Sequence, residues 1–391
     1  MTRILRIIAS SNPRAGGPIE GTRRFAEVWA HDGHRQDLLT LDAPGESFLT
    51  DYPGEISRVG PPRSRNPLSK YRFAPDLVRW LRVNARNYDA ILVSGLWQYQ
   101  TLGARQALAK GPTPYFVFPH GMLDPWFRTT YPAKHLVKQA LWWVAEGPLL
   151  AHARAVLFTS EEERLRAQGV FRPYKMNGVV VNYGTLPAVG DPQKQGAAFR
   201  ATVPELGNRP YLLFLSRIHP KKGCDLLVEA FAGVAGAPPE LNLVIAGPDQ
   251  AGLVNTLRGQ AERLGIGGKV HFPGMLTGDA KAGALRDAEA FVLPSHQENF
   301  GIVVAEALAA GTPVLISDQV YIWREIVADG AGLVEPDSIE GTRALLERFL
   351  ALAPTERTIL RERAKVSFER RFNVEHAARS LMTLIQESIG K

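Results

Sequence analysis

Residues Leu293 to Val314 read LPSHQENFGIVVAEALAAGTPV, and this stretch decides the fold. The apolar run that leads into it, Ala290 to Leu293, has the length and flanks of a buried parallel strand, and Pro294 and Ser295 break it. A polar loop follows, after which Ile302, Val303, Ala305, Leu308 and Ala309 recur at helical spacing. The stretch is therefore strand, loop and helix. Gly301 allows close approach to the backbone, and the amides of Gly301, Ile302 and Val303 at the helix start are placed to receive an anion such as phosphate. Glu298 precedes the helix. Glu306 lies five residues past Gly301, which at ~1.5 Å per residue is roughly 7 to 8 Å along the axis, about the reach from a diphosphate to a ribose.

Outward from this stretch, strand and helix signals alternate, which calls for parallel sheets in an α/β chain. Before it come Tyr211 to Leu215, Leu241 to Ala246 and Val270 to Gly274; after it come Pro313 to Ile316 and Gly330 to Val334. The N-terminal half repeats the pattern at Ile4 to Ala9, Ala90 to Ser94, Tyr115 to Phe118, Ala155 to Ser160 and Gly178 to Val181. A chain of 391 residues is long enough for two domains. The polar, proline-bearing run from Pro187 to Pro210 is the linker candidate, which gives domains over 1–190 and 191–372 and a helical tail over 373–391. Ala43 to Leu68, rich in Pro, Gly, Ser and Arg, reads as a long connection or flap.

Composition narrows the function classes. No apolar run reaches the ~18 residues needed to span a bilayer, and Met1 to Ser10 alternates like a first strand rather than a secretory signal, so a cytoplasmic location is expected. The single cysteine, Cys224, excludes an intramolecular disulfide framework and a multi-cysteine metal site. Residues 1–190 carry 24 basic against 15 acidic residues, or +9, and residues 191–391 carry 22 against 24, or -2. Such asymmetry is either solvated surface or a face for an anionic partner such as membrane lipid, a lipid diphosphate or nucleic acid. Basic residues beside Trp142 and Trp143, in a helical run from Tyr131 to Leu150, suit either a membrane interface or core packing. No recognisable nucleic-acid module accompanies them.

Three further motifs carry chemistry. Ser216-Arg217-Ile218-His219-Pro220-Lys221-Lys222-Gly223 is a basic loop between a strand and a helix, in which Arg217 offers a forked donor to phosphate oxygens and Lys222 a point charge. Pro119-His120-Gly121-Met122-Leu123-Asp124-Pro125-Trp126 follows the strand Tyr115 to Phe118, where doubly wound sheets place ligand chemistry. Gly16-Gly17, ahead of a helix at Thr22 to Ala30, either lines a ligand cleft or makes a simple turn. No Asp-x-Asp occurs, and no set of histidines and acids has metal-ligand spacing.

Glu-x7-Glu around a helix N-terminus with Gly311-Thr312-Pro313-Val314, Arg-x4-Lys at Arg217 and Lys222, and the run PHGMLDPW together resemble the retaining glycosyltransferases of family GT4, in particular a bacterial surface-polysaccharide subgroup. The resemblance is dense from Tyr211 to Pro336 and thinner before. It implies a GT-B fold, two Rossmann-like domains with parallel sheets facing a central cleft, closing over the donor and joined by a C-terminal helix that crosses back to the first domain. It assigns Arg217 and Lys222 to the donor diphosphate, Glu298 to the donor sugar, Glu306 to the ribose, backbone at Met275 and Leu276 to the base, His120 to a position facing the donor sugar, and Gly16 and Gly17 to the cleft border; Asn299, Phe300, Gly301, Ile302 and Val303 complete the expected donor site, with His120, Glu298, Arg217 and Lys222 as its catalytic residues. One departure stands out: Val181-Asn182-Tyr183-Gly184 replaces the Pro-Asn-Gly of many relatives.

The implied reaction moves a hexose, with retention, from a nucleoside diphosphate sugar to a glycan or polyprenyl-diphosphate-linked acceptor in bacterial polysaccharide synthesis. UDP-hexose is the favoured donor and GDP-mannose the other. The departing phosphate accepts the acceptor proton, with no cofactor and no metal. The implied location is cytoplasmic, with peripheral contact to anionic lipid at the inner face of the cell membrane through the N-terminal domain. Competing readings are a GT-B sugar-nucleotide 2-epimerase and a non-catalytic nucleotide-sugar or polysaccharide-binding protein.

Overall fold

The structure, a computed structural model, describes residues 1–13, 17–49, 51–62, 71–234 and 238–390. They divide into two compact units, Met1–Gly184 with Val374–Lys391 and Thr185–Asn373. The first unit holds β1 (Arg3–Ile8), β2 (Arg35–Thr40), β3 (Ile56–Arg58), β4 (Ala90–Ser94), β5 (Tyr115–Phe118), β6 (Ala155–Phe158) and β7 (Gly178–Val180). They form one parallel sheet in the order β3-β2-β1-β4-β5-β6-β7. The second unit holds β8 (Tyr211–Leu215), β9 (Asn242–Ala246), β10 (Val270–Gly274), β11 (Ala290–Leu293), β12 (Val314–Ser317) and β13 (Gly332–Glu335), also parallel, in the order β10-β9-β8-β11-β12-β13.

The central strands are mainly apolar because helices cover both faces of a parallel sheet. Residues 211–215 of β8 and 290–293 of β11 are all buried. Each sheet also reverses its direction of growth once. In the first unit the reversal lies between β1 and β4, and in the second between β8 and β11. Loops leaving the carboxyl ends of those strand pairs splay apart and open a crevice, so each unit has one topologically dictated place for a ligand.

Two strands of the first unit escape the sequence reading. β2 begins Arg35-Gln36-Asp37, which looks like a loop, yet Gln36 and Asp37 are buried. Most of their polarity is met internally: Gln36 Nε2 donates to Thr22 O (3.0 Å) and the Tyr52 hydroxyl (2.8 Å), although its Oε1 has no partner among the described residues, and Asp37 accepts from Arg35 Nε (2.8 Å) and the Tyr88 hydroxyl (3.1 Å). β3 lies inside the stretch expected to be an unstructured connection and pairs on the sheet edge with Leu38, Leu39 and Thr40. The first helix starts earlier than expected and spans Gly17–His31. Gly21 sits within it because a Cβ there would collide with the Tyr183 ring.

The polar run assigned to a linker is partly helix. Asp191 caps Pro192–Thr202 by accepting from Gln193 N (2.8 Å), and this helix packs on Gly278–Asp287 within the second unit. The C-terminal helical run is interrupted by a π turn, Phe368–Phe372, before the final helix Val374–Ile389. Val374, Ala377, Ala378, Leu381, Met382 and Ile385 form the buried stripe of that helix, which packs against Gly17–His31; Trp29 Nε1 donates to Ala378 O (2.8 Å).

Candidate functional site

In the second unit, the loops after β8 and β11 meet at the switch point. His296 N and the Ser295 hydroxyl both donate to Lys221 O (2.8 and 2.9 Å), and the Ser317 hydroxyl at the end of β12 donates to Ser295 O (2.5 Å). Gly223, at φ 65°, passes so close to Pro294 that a Cβ would strike its carbonyl oxygen. The two loops are thus one stitched platform.

On that platform Lys222 and Glu298 find each other. Lys222 Nζ lies 2.6 Å from Glu298 Oε2 and 3.3 Å from Gln297 O, with side chains 6% and 24% exposed. The sequence reading expects Lys222 in an open basic loop; the structure buries it, because the short turn Pro220–Lys222 folds it under the loop that carries Glu298. Arg217 stays exposed and touches only the Gln250 side chain, at 3.4 Å, among the described contacts. Charge on this platform is therefore split into a buried, paired cation and an open one.

Gly301 takes the left-handed conformation (φ 70°, ψ 64°) and caps the helix Ile302–Ala309, whose intrahelical bonds begin with Val304 N to Gly301 O (2.7 Å). The amides ahead of Val304 have no intrahelical acceptor, which makes this end attractive to an anion. Glu298 is held by backbone on both sides, its N–H donating to Gln319 O and its carbonyl accepting from Tyr321 N, both at 3.0 Å. Phe300 is buried against Phe372 (centroids 5.9 Å apart), and Ile302 is exposed while Val303 is half-buried. Glu306, expected to be open for a ribose, pairs with Lys281 of the helix Gly278–Asp287 (2.6 Å). Beyond β10, Met275 is exposed and Leu276 buried.

The first unit has its own site at its own switch point. A cavity of about 170 Å³ opens where β1 and β4 end, lined by Ser10, Ser94, Arg72, Gln100 and His120 among others. Gln100 is buried, and its Oε1 has no hydrogen-bond partner among the described residues; neither has His120 Nε2. Burial and the nearby Arg6 guanidinium push the His120 imidazole down to about 3, so the ring is neutral at physiological pH. Arg6 is itself buried, donates from Nε to the Ser94 hydroxyl (2.7 Å) and lies over the Phe118 ring (4.6 Å); burial pushes it down to about 10. Arg72 reaches Asp42 (3.0 Å), a carboxylate that also accepts from Ser10 and Ser11, whose hydrogen bonds hold it below the usual range against the opposing effect of burial.

Of the residues expected in the site, His120 lies in this first cavity, and Arg217, Lys222 and Glu298 to Val303 lie on the second unit's platform. Gly17 begins the first helix, and Gly16 lies outside the described residues. Arg72, Gln100 and Ser94 escape the sequence reading; the available signal was Ser94-Gly95 at the carboxyl end of a buried strand. The expected Trp pair divides: Trp142 is buried and Trp143 is exposed. Among the described residues no group of three or more His, Cys, Asp or Glu is gathered as metal ligands, and no helix is long and apolar enough to cross a membrane.

Two doubly wound parallel sheets, each with a ligand crevice at its own switch point, define the GT-B class. The chain belongs to the GT4-type glycosyltransferase family: residues 197–366 match "Glycosyl transferases group 1" and residues 16–184 match "Glycosyl transferase 4-like domain". Among its relatives, the phosphatidyl-myo-inositol mannosyltransferase of Mycobacterium leprae is 33% identical over 242 residues, 56% of this chain and 61% of the relative. The D-inositol 3-phosphate glycosyltransferase of Actinosynnema mirum is 32% identical over 182 residues, 44% of this chain and 43% of the relative. The chain thus spans about half the length of the curated relatives it matches. Among solved structures, sucrose-phosphate synthase from Thermosynechococcus elongatus superposes with a TM-score of 0.76 at 21% identity, covering 99% of both chains. Anabaena HepE, solved in complex with UDP and glucose, gives 0.74 at 18% identity, covering 99% of this chain and 100% of its own. At such identities these two speak for the fold.

Proposed function

We propose that the chain transfers a hexose from a nucleoside diphosphate sugar to a hydroxyl of a glycan or lipid-linked glycan, with retention at the anomeric carbon. The observation that carries this reading is the platform of the second unit, where a buried lysine, an exposed arginine and an open helix N-terminus converge on one crevice. In this scheme the open arginine and the helix N-terminus, together with Lys222 shared between Glu298 and the ligand, offset the charge a leaving nucleoside diphosphate develops. Arg217 and Lys222 meet that charge in this scheme without a metal. Glu298, beside Lys222, takes a hydroxyl of the donor sugar. The leaving phosphate collects the acceptor proton, so no side chain is needed as nucleophile. His120, neutral and with an open ring nitrogen, offers a hydrogen bond to a substrate hydroxyl rather than a proton.

UDP-hexose is the first donor to test, in keeping with the UDP-glucose complex of HepE, and GDP-mannose the second, in keeping with relatives named as mannosyltransferases. Polysaccharide synthesis is the setting we assign. The acceptor is presented at an anionic membrane, on a face of the first unit: the helix Pro132–Leu141 has no buried residue, and Leu136, Val137, Trp143 and Val144 are exposed beside Arg128, Lys134 and Arg172. Calorimetry of the full chain with UDP, GDP and ADP, in buffer with and without EDTA, tests the donor half. Binding of one diphosphate at micromolar strength in both buffers is expected. Failure of all three to bind overturns the reading.

A further inference from the structure

The turn that carries His120 is unusual in its backbone. Met122 N donates to Pro119 O (3.1 Å), closing a four-residue turn whose two central residues, His120 (φ 50°) and Gly121 (φ 73°), are both left-handed. Glycine adopts that region freely, whereas for histidine it is uncommon and carries a conformational cost. Besides its own backbone bond, the turn is held from outside by a side chain.

That side chain is Glu163, which is buried. It occupies the third position of the helix Glu161–Arg166, whose cap, Ser160, accepts from Glu163 N (3.1 Å). Ser-x-x-Glu is a capping box, in which the glutamate ordinarily turns back to the start of its own helix. Here Oε2 turns back to the residue before the cap, accepting from Thr159 N and the Thr159 hydroxyl (2.7 and 2.8 Å). The other oxygen, Oε1, crosses to the loop after β5 and accepts from Gly121 N at 2.6 Å. Gly121 N belongs to the peptide that follows His120, so fixing its direction fixes the ψ angle of His120 and, with it, the aim of the imidazole. The ring lies stacked on Phe118 (5.3 Å, 12° between planes) and meets Tyr183 edge-on (6.3 Å), with Nε2 buried and unpartnered at the cavity wall.

We propose that Glu163 is the positioning residue for His120: the helix-capping carboxylate doubles as the acceptor that locks the left-handed turn and points the imidazole into the cavity. Its importance for turnover rests on the proposed function, in which His120 touches substrate; the positioning itself does not.

The test uses the full chain with Glu163→Ala, Glu163→Gln, His120→Ala and the two double variants. Histidine NMR reads the position of the ring. In the wild type the His120 signal shows no titration between pH 7 and 4; in Glu163→Ala it titrates within that range, because the released ring reaches solvent. In Glu163→Gln, whose amide oxygen can still accept from Gly121 N, the signal stays closer to wild type. Turnover falls by about 100-fold in Glu163→Ala, the loss expected from misplacing a substrate contact by about 1 Å, and by less in Glu163→Gln, while calorimetric affinity for nucleoside diphosphate is unchanged. In the His120→Ala background neither Glu163 change lowers turnover further. Additive losses, or an unperturbed His120 signal in Glu163→Ala, overturn the proposal. Should Glu163→Ala fail to fold, the Glu163→Gln signal and its double variant decide alone, and an unperturbed signal with additive loss refutes it. Absence of any transfer in the wild type counts against the function and leaves the NMR result to decide the positioning.

Discussion

Glu298→Gln is the most revealing substitution, because the family resemblance and the structure disagree about its outcome. If Glu298 only contacts the donor sugar, free nucleoside diphosphate has no dealings with it and should bind the variant unchanged. In the structure, Glu298 is the counter-charge of Lys222, the cation we assign to the diphosphate, at 2.6 Å. A phosphate oxygen bound to Lys222 Nζ at ~2.8 Å would stand no further than about 5.4 Å from Glu298 Oε2. Two unit charges at that separation repel by about 3 kcal/mol at an effective dielectric constant of ~20. Glu298 is 24% exposed, so solvent screens part of this, and about 1 to 2 kcal/mol remains. Removing the charge while keeping the shape should tighten binding of the free diphosphate by roughly 5- to 30-fold. Turnover with the intact donor should fall, since a sugar hydroxyl loses a charged acceptor. The ligand-free variant should also melt earlier, because Lys222 loses its counter-charge and keeps only neutral acceptors, Gln297 O and the new amide oxygen, and saturating diphosphate should recover that loss. Titration calorimetry with the diphosphate, alongside melting curves with and without it, reads all three. An affinity equal to or weaker than wild type refutes the shared-cation reasoning.

Arg217→Ala should behave differently from any change at Lys222. With an exposed guanidinium that touches only Gln250 among the described contacts, it should leave the melting temperature within about 1 °C of wild type, while adding about 2 to 4 kcal/mol to the barrier of transfer, read as kcat/KM. The His120 imidazole contributes to the pH dependence of stability with a definite sign. Its folded value of about 3 lies below the ordinary 6.5, so its contribution is complete above about pH 6.5 and is lost as pH falls toward 3. Burial also lowers His135, His219 and His271, so the comparison that isolates His120 is His120→Asn, whose stability should decline less steeply than wild type over that window in urea titrations at stepped pH; parallel slopes count against it. Leu136→Ser with Trp143→Ser should cut sedimentation of the full chain with anionic vesicles and leave diphosphate affinity alone; wild-type sedimentation of the double variant removes this face as the contact.

What the sequence made legible follows the physics of parallel sheets. Strands buried on both faces are mainly apolar, so β8 to β13 of the second unit and five of the seven strands in the first stand out as apolar runs, even where a polar residue such as Arg6, Asn242 or His271 falls within them. β2 and β3 do not, because a strand near a sheet edge can carry polar residues if the surrounding loops satisfy them. The Gln36 amide nitrogen is such a case: its partners, Thr22 and Tyr52, lie 14 and 16 residues away. Glycine misled for a related reason. Gly21 reads as the end of a loop, yet it is helical and small because Tyr183, 162 residues downstream, needs the space.

The same distinction separates what could be seen of the site from what could not. Loop, glycine and charge are local features, and they located the platform. Pairing is not local: Lys222 meets Glu298 across 76 residues, Glu306 meets Lys281 across 25, and Gly121 meets Glu163 across 42. A charged residue that a motif assigns to a ligand is, before the ligand arrives, a buried or half-buried ion that must be neutralised by something. Switch-point geometry supplies that something from the neighbouring loop, since the two loops that hold a ligand are also the two nearest each other. The cations and anions of such a site are therefore each other's partners in the empty state. Their substitution should change ligand affinity through that lost partner as well as through the lost contact, so a motif residue such as Glu298 is expected to act on affinity by two routes.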